Sequence, residues 1–120
     1  MPKTMSNNYA LNRRLLIVCV LLLLMVSPTY GQTTVFTYQG RLSDGGAPAN
    51  GAYDLQFKLF DTASTGAGTQ IGSTITNSAL TVTGGVFTTQ LDFGASAFPG
   101  ADRFLEISVR LAGSGSFTVL

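Results

Sequence analysis

Carboxylates are the only side chains in this sequence that could support acid–base catalysis or metal binding. The 120 residues contain no histidine, and the single cysteine, Cys19, lies in an apolar run near the N-terminus. A Ser–His or Cys–His nucleophile, a zinc site and thiol redox chemistry require histidine or cysteine, and neither remains if the segment that contains Cys19 is removed by processing. Six acidic residues remain to be considered: Asp44, Asp54, Asp61, Asp92, Asp102 and Glu106.

Asp61 lies in the segment LFDTAST, Leu59 to Thr65, which resembles the hydrophobic-Asp-Thr-Gly segment of aspartic proteases. Ala63 stands where that motif has glycine. Such an enzyme also needs a second carboxylate that shares the proton, from another lobe or subunit. Because Asp and Thr are common turn residues, we interpret this segment as the end of a strand followed by a loop. We therefore predict that the protein is not an enzyme.

The acidic residues and the glycine-rich loop were also considered as ligand sites. The acidic spacing matches no regular calcium loop, so we interpret these residues as turn and surface positions and leave Ca²⁺ binding open. The loop from Gly40 to Gly51 has neither the G-x-G-x-x-G nor the G-x-x-x-x-G-K-[ST] spacing, and no helix follows it. We therefore predict no cofactor and no catalytic or metal-binding residue.

The N-terminal residues have the composition of a secretory signal peptide. Basic residues precede an unbroken twelve-residue apolar run, Leu15 to Val26, which is shorter than the roughly 20 residues of a membrane-spanning helix. Small residues at Thr29 and Gly31 predict cleavage between Gly31 and Gln32. We therefore expect residues 1–31 to be a signal peptide and residues 32–120 to form a secreted or cell-surface domain. The basic residues are Lys3, Arg13 and Arg14.

Apolar and polar residues alternate in the exported part, and no segment has the spacing of an amphipathic helix. The clearest alternation is Tyr53 to Leu59, which we predict to be a central strand with Asp54, Gln56 and Lys58 on its solvated face. The fold is expected to be all-β, a small antiparallel β-sandwich of about six to seven strands after an N-terminal signal helix. Other alternating sets are Phe36, Tyr38 and Leu42; Ile71, Ser73 and Ile75; and Leu105, Ile107, Val109 and Leu111.

Gly84-Gly85 predicts a two-residue β-turn, because both positions of such a turn require a positive φ. The expected hairpin places Thr83 opposite Val86. It further pairs Val82 with Phe87 and Leu80 with Thr89 on the apolar face.

Two phenylalanines, Phe60 and Phe104, fall on the polar faces of their strands and form a candidate interaction surface. They favour a contact within an oligomer or between modules, and they leave open a carbohydrate-binding surface. The exported part has four basic and six acidic residues, a formal net charge of −2. Without a basic cluster, neither nucleic acid nor an anionic membrane is an expected partner.

Several segments in order, FTYQGRLSDGGAPANGAYDLQFKLFD, GGVFTTQLDFG, AFPG and RFLEISVR, resemble the N-terminal β-domain of large secreted bacterial proteins of the tail-fibre type. In such proteins an intramolecular chaperone often lies at the far C-terminus. The resemblance implies a β-domain that precedes a long repetitive region, and it carries no catalytic or binding residues. The segment GRLSDGGAPANGAYDLQF is also similar to prealbumin-like extracellular modules, which is an analogy of fold alone.

These observations predict a non-enzymatic structural or adhesive module, the N-terminal part of a longer fibre-like protein. The final segment, SFTVL, begins as a strand and stops, so we expect the domain to be incomplete at its C-terminus. Expected partners are other copies or downstream modules of the same chain, and glycans if the alternative function, a carbohydrate-binding module, applies. A hydrolase centred on Asp61 is the least favoured hypothesis.

Overall fold

The computed structural model describes residues 33–64 and 66–120, and every regular element in this part of the chain is a β-strand. All strand pairs are antiparallel, which confirms the predicted all-β, antiparallel class. The predicted signal peptide, its helix and its cleavage site between Gly31 and Gln32 lie outside the described residues.

The described strands form one large sheet and two small ones. The large sheet has the order β5-β4-β7-β8, and the small sheets are β1-β6 and β2-β3. Because β4 pairs with β5 on one side and with β7 on the other, the predicted central position of Tyr53–Leu59 is confirmed. The strands are β1 (Phe36–Arg41), β2 (Ser43–Asp44), β3 (Ala47–Pro48), β4 (Gly51–Phe60), β5 (Gln70–Val82), β6 (Val86–Leu91), β7 (Phe104–Leu111) and β8 (Thr118–Val119).

The hydrophobic core lies between the large sheet and the β1-β6 sheet. Alternation along β4 directs Tyr53, Leu55, Phe57 and Leu59 inward, and Leu55 and Phe57 are completely buried. From the other sheet, the ring of Tyr38 packs edge-on against Phe57 with 5.9 Å between the ring centroids. The two sheets therefore form a sandwich-like pair of layers. Further core residues from the second layer and the loop after it are Phe87, Leu91, Phe93 and Ala97.

The Gly84-Gly85 turn is formed, but the hairpin around it extends for only one residue pair. Thr83 and Val86 exchange two backbone hydrogen bonds of 3.0 Å each, as predicted. Beyond them the strands diverge: Val82 pairs with Gly51 in the large sheet, and Phe87 pairs with Gly40 in the small one. The predicted Val82–Phe87 and Leu80–Thr89 pairs are therefore wrong. Separation lets both strands turn their apolar residues toward a shared core instead of leaving one face of a long hairpin uncovered.

Gly85 bonds the turn to the two residues that flank the β2-β3 pair. Its carbonyl accepts a hydrogen bond from Leu42 N (2.7 Å), and its amide donates one to Ala49 O (2.8 Å). The residue has a φ of 79°, and a Cβ placed on it would lie 2.9 Å from Leu42 O. Glycine is thus required by the backbone conformation and by the close approach of the neighbouring chain.

The inner face of β7 is only partly covered. Leu105, Ile107 and Val109 pack against the core, as the alternating pattern predicts. Leu111 belongs to the same alternating set, but 57% of its surface is exposed. The reason is that a two-stranded layer is narrower than the four-stranded sheet beneath it.

Candidate functional site

The structure brings Phe60 and Phe104 together. They are direct partners in the β4–β7 register, on the face of the large sheet that points away from the core. Phe104 is 38% exposed, and Val119 of β8, which lines the same cleft, is 55% exposed. Phe60, Phe104 and Val119 define the outer apolar patch. Alternation placed each phenylalanine on the polar face of its own strand, whereas their contact depends on the register between two strands that are far apart in sequence.

A cleft of about 180 Å³ lies beside the outer apolar patch. The two phenylalanines form part of its lining, and Thr62, Ser64 and Glu106 supply polar groups. In the adjacent row of the sheet, Lys58 Nζ lies 3.7 Å from Glu106 Oε1. The cleft therefore combines an aromatic surface, suited to an apolar side chain or the flat face of a ring, with hydrogen-bonding groups at one rim.

Asp61, the residue of the protease-like segment, closes the loop between β4 and β5. Its Oδ1 accepts a hydrogen bond from Thr69 N (2.8 Å), and its own amide donates to Thr69 O at 3.3 Å. Asp61 is exposed. In the chain from residue 33 onward, leaving out Thr65, no three acidic side chains cluster in a way that could hold a metal ion.

The sequence did not predict the buried, hydrogen-bonded environment of the Asp54 carboxylate. The alternating pattern places it on a solvated face, but it is only 3% exposed. Its Oδ1 accepts a hydrogen bond from Ala79 N (2.8 Å), and its Oδ2 accepts from Arg110 Nε (2.9 Å) and Gly113 N (3.1 Å). The backbone amides of Ala79 and Gly113, followed by the Arg110 guanidinium, lower the pKa of Asp54, and burial opposes them.

The position of Asp54 is explained by a β-bulge in the adjacent strand. Tyr53 pairs with Leu80 and Leu55 pairs with Asn77, so that Asp54 faces two residues of β5 instead of one. One of them, Ala79, has a φ of 51°, in the left-handed region that non-glycine residues seldom occupy. The Asp54 carboxylate binds the amide of this residue and holds the bulge in place.

Arg110 extends this network to the loop between β7 and β8. Its Nη1 donates to Gly115 O at 3.2 Å, and its guanidinium carbon lies 4.4 Å from the ring centroid of Phe117. We call Asp54, Ala79, Arg110, Gly113 and Phe117 the Asp54 network. No buried side-chain polar atom in the described residues lacks a hydrogen-bond partner. The network is thus a fully bonded structural connection between β4, β5, β7 and the following loop.

Fold and surface together define the class of this protein as an antiparallel all-β domain with an exposed aromatic patch. Residues 37–119 match the family model described as "Domain of unknown function (DUF8740)", and the chain belongs to this family. Searches of curated proteins and of solved structures found no match. Over residues 33–64 and 66–120, the chain forms no helix with the length and apolar character that a membrane crossing requires.

Proposed function

We propose that residues 32–120 form a non-enzymatic structural or adhesive module, folded as a small β-sandwich of six to seven strands, in the N-terminal part of a longer fibre-like exported protein. The observation that carries this proposal is the outer apolar patch, with Phe60 and Phe104 side by side on a face where other side chains are polar. The module acts through this patch by contact with another copy or another module of the same chain.

Pairing of the charges around the patch supports a contact function. Lys58 is paired with Glu106, and Arg110 is paired with Asp54. Polar groups that already form bonds within the domain add little to the free energy of binding a partner. Burial of exposed aromatic and aliphatic surface, in contrast, contributes a favourable free energy of about 25 cal/mol per Å². Contiguous exposed apolar surface of this kind commonly marks a site of protein contact.

The carboxylate environments support a non-enzymatic role. Three donors already engage Asp54, and Asp61 bonds the backbone of its own loop. A general acid or base needs a carboxyl group within hydrogen-bonding reach of a substrate proton, and a protease of the Asp–Thr type needs two carboxyl groups that share a proton.

We expect replacement of Phe60 and Phe104 by serine to weaken self-association or surface attachment by about tenfold or more, because both partners lose the apolar area that they bury. Sedimentation velocity measures self-association, and beads coated with the protein measure attachment to cells. Gln56→Ser is the matched control, since Gln56 lies on the same face of β4 outside the patch. Unchanged association and attachment in the double variant, with circular dichroism showing a native fold, would contradict the proposed function.

A carbohydrate-binding module is the second candidate, and the cleft beside Phe60 and Phe104 is the observation that favours it. Aromatic rings can stack on the apolar face of a sugar, and Glu106, Thr62 and Ser64 could bond its hydroxyl groups. A glycan array separates the two functions. Glycan binding that is lost in Phe104→Ala and retained in Phe104→Tyr would favour this candidate, whereas an array without signal would remove it.

The proposed export has its own test. A processed protein recovered from the medium or cell surface should begin at Gln32, because Thr29 and Gly31 satisfy the small-residue preference of the cleavage site. N-terminal sequencing or intact mass measurement will show the boundary. Gly31→Leu should reduce processing at this site, with Gly31→Ala as the matched control. An intact N-terminus in the exported protein would count against cleavage.

A further inference from the structure

The outer edge of β1 exposes unpaired backbone groups. Val86 exchanges both of its hydrogen bonds with Thr83, so its backbone groups point toward β5. Successive residues of a β-strand direct their backbone N–H and C=O groups to opposite sides of the strand. The residues of β6 that point toward β1 are thus Phe87, Thr89 and Leu91, and their partners are Gly40, Tyr38 and Phe36. The residues of β1 between and after these partners, Thr37, Gln39 and Arg41, direct their N–H and C=O groups away from β6.

Among the described residues, no strand pairs with this edge. An exposed edge with a run of free donors and acceptors is the feature that another strand recognises by β-augmentation. A partner that offered only side chains would not present donors and acceptors at the regular spacing of a strand backbone. The geometry of the edge therefore indicates an extended polypeptide as the occupant.

An apolar groove lies between this edge and strands β7 and β8, and we call it the seam. A hollow of about 440 Å³ at one end is lined by Phe36, Leu59, Phe98, Arg103 and Leu105. A second hollow, of about 350 Å³, lies at the other end, and its apolar lining consists of Leu42, Tyr53, Val109, Leu111 and Leu120. Exposed fractions of 52% for Phe98 and 57% for Leu111 show how much apolar surface the seam leaves open.

The seam has a defined direction. Its first hollow is lined by Phe36 at the start of β1 and Leu105 at the start of β7, and its second by Leu42 just after β1 and Leu111 at the end of β7. Strands β1 and β7 consequently run the same way across the groove. A strand placed between them can run antiparallel to both, as all other strand pairs in the described residues do.

The charges at the ends of the seam add a further constraint on the occupant. In the part of the chain that the structure describes, Lys58 and Arg110 form ion pairs, whereas Arg41 and Arg103 form none. Arg103 donates hydrogen bonds to the carbonyls of Ala97 (2.7 Å) and Asp102 (2.9 Å), which hold its guanidinium in place but leave its charge without a carboxylate partner. Arg103 lines the first hollow, and Arg41 precedes Leu42 of the second. Asp44, also in the second hollow, accepts a hydrogen bond from the Tyr53 hydroxyl at 3.2 Å. Acidic residues at the two ends of an occupying strand would complement the two arginines.

We propose that the seam binds one extended strand of another polypeptide chain, antiparallel to β1, with apolar side chains at alternate positions and acidic residues at its ends. Alternate side chains of this strand enter the two hollows, and its backbone bonds to Thr37, Gln39 and Arg41. The seam lies on the core side of the large sheet, and the outer apolar patch lies on the opposite side. Failure of this inference therefore leaves the proposed function untouched, and failure of the proposed function leaves the seam available.

The test uses the purified full chain and a short synthetic peptide of alternating valine and threonine with aspartates at both ends. Its control peptide has the same composition with the valines in one block. Calorimetric titration should detect binding of the alternating peptide alone. Hydrogen exchange followed by NMR should show slower exchange of the Thr37, Gln39 and Arg41 amides on binding, while the Tyr38 and Gly40 amides, already bonded to β6, change little.

Charge reversal adds a second, independent measurement. Arg41→Glu should weaken binding of the aspartate-flanked peptide by about tenfold, and a lysine-flanked peptide should recover binding to this variant. Arg41→Gln is the control for loss of charge without reversal, and Arg41 is exposed, so neither change should disturb the fold. Equal binding of both valine peptides, or no protection of the three edge amides, would overturn the proposal. Dimerisation that protects the same amides without peptide would also overturn it, since the occupant would then be a second copy of this chain.

Discussion

Replacing Asp54 with alanine should lower the thermal midpoint of the domain by about 10 °C or more at pH 7. The variant removes the acceptor for Ala79 N, Gly113 N and Arg110 Nε together. Buried donors that lose their acceptor incur the full desolvation penalty, and the left-handed backbone at Ala79 loses the bond that holds it. Differential scanning calorimetry is the measurement. Asp102→Ala is the matched control, because Asp102 is an exposed aspartate outside the Asp54 network.

The dependence on pH separates the charge of Asp54 from its hydrogen-bonding geometry. The folded state lowers the pKa of Asp54, so the ionised carboxylate stabilises the domain above the unfolded-state pKa of about 4. This stabilisation is lost as the pH falls below that value and through the folded-state pKa. The stability difference between the wild type and Asp54→Asn should therefore be full at pH 7 and should decrease below about pH 4.

The difference in stability between the wild type and Asp54→Asn does not include the contribution of a second acid-sensitive group, Asp92. Asp92 also has a lowered pKa, caused by the Thr34 hydroxyl and the Gly94 amide, and it is present in both proteins. Asp92 therefore contributes equally to the two acid titrations. A stability difference that stays constant from pH 7 to pH 3 would contradict the charge role assigned to Asp54.

Replacing Phe57 with alanine should cost about 3–5 kcal/mol of the free energy of unfolding. Phe57 is completely buried at the centre of the large sheet, and its ring packs against Tyr38 of the opposite layer. Small domains typically have a stability of about 5–15 kcal/mol in total, so this single change should bring the domain close to unfolding. Urea denaturation at 25 °C will measure the loss.

Two variants serve as controls for this experiment. Phe57→Leu keeps much of the side-chain volume and should cost less than Phe57→Ala. Gln56→Ala changes the adjacent residue, which lies on the opposite face of the sheet and is only partly buried, and its effect should be within about 0.5 kcal/mol. If Phe57→Ala were no more destabilising than Gln56→Ala, the placement of the core between the two layers would be incorrect.

The sequence predicted those structural features that depend on a single strand or a single turn. The alternation from Tyr53 to Leu59 predicted the buried apolar side chains of β4, because the two faces of a strand differ regardless of its neighbours, but it did not predict the burial of Asp54. The Gly84-Gly85 turn and its Thr83–Val86 pair were predictable because positive φ at two adjacent positions is a local requirement. The family match adds membership without a known activity.

Two features that depend on the pairing of several strands were not predicted from the sequence. The strands that flank Gly84-Gly85 diverge into separate layers because each finds a better partner elsewhere, β4 in one case and β1 in the other. The burial of Asp54 requires a bulge in β5, an arginine 56 positions later in the chain and the loop after β7. None of these has a signal in the residues adjacent to Asp54.

The sequence by itself determined that the chain from residue 33 onward is all-β, that Tyr53–Leu59 is a central strand with apolar side chains directed into the core, and that this part of the chain contains neither histidine nor cysteine, because composition and alternation are properties of short segments. Only the tertiary structure decided that Phe60 and Phe104 are neighbours, that Asp54 is a buried junction, and that β1 presents an open edge above an apolar groove. Those three results depend on strand order and register, which arise from the competition of distant segments for the same partners.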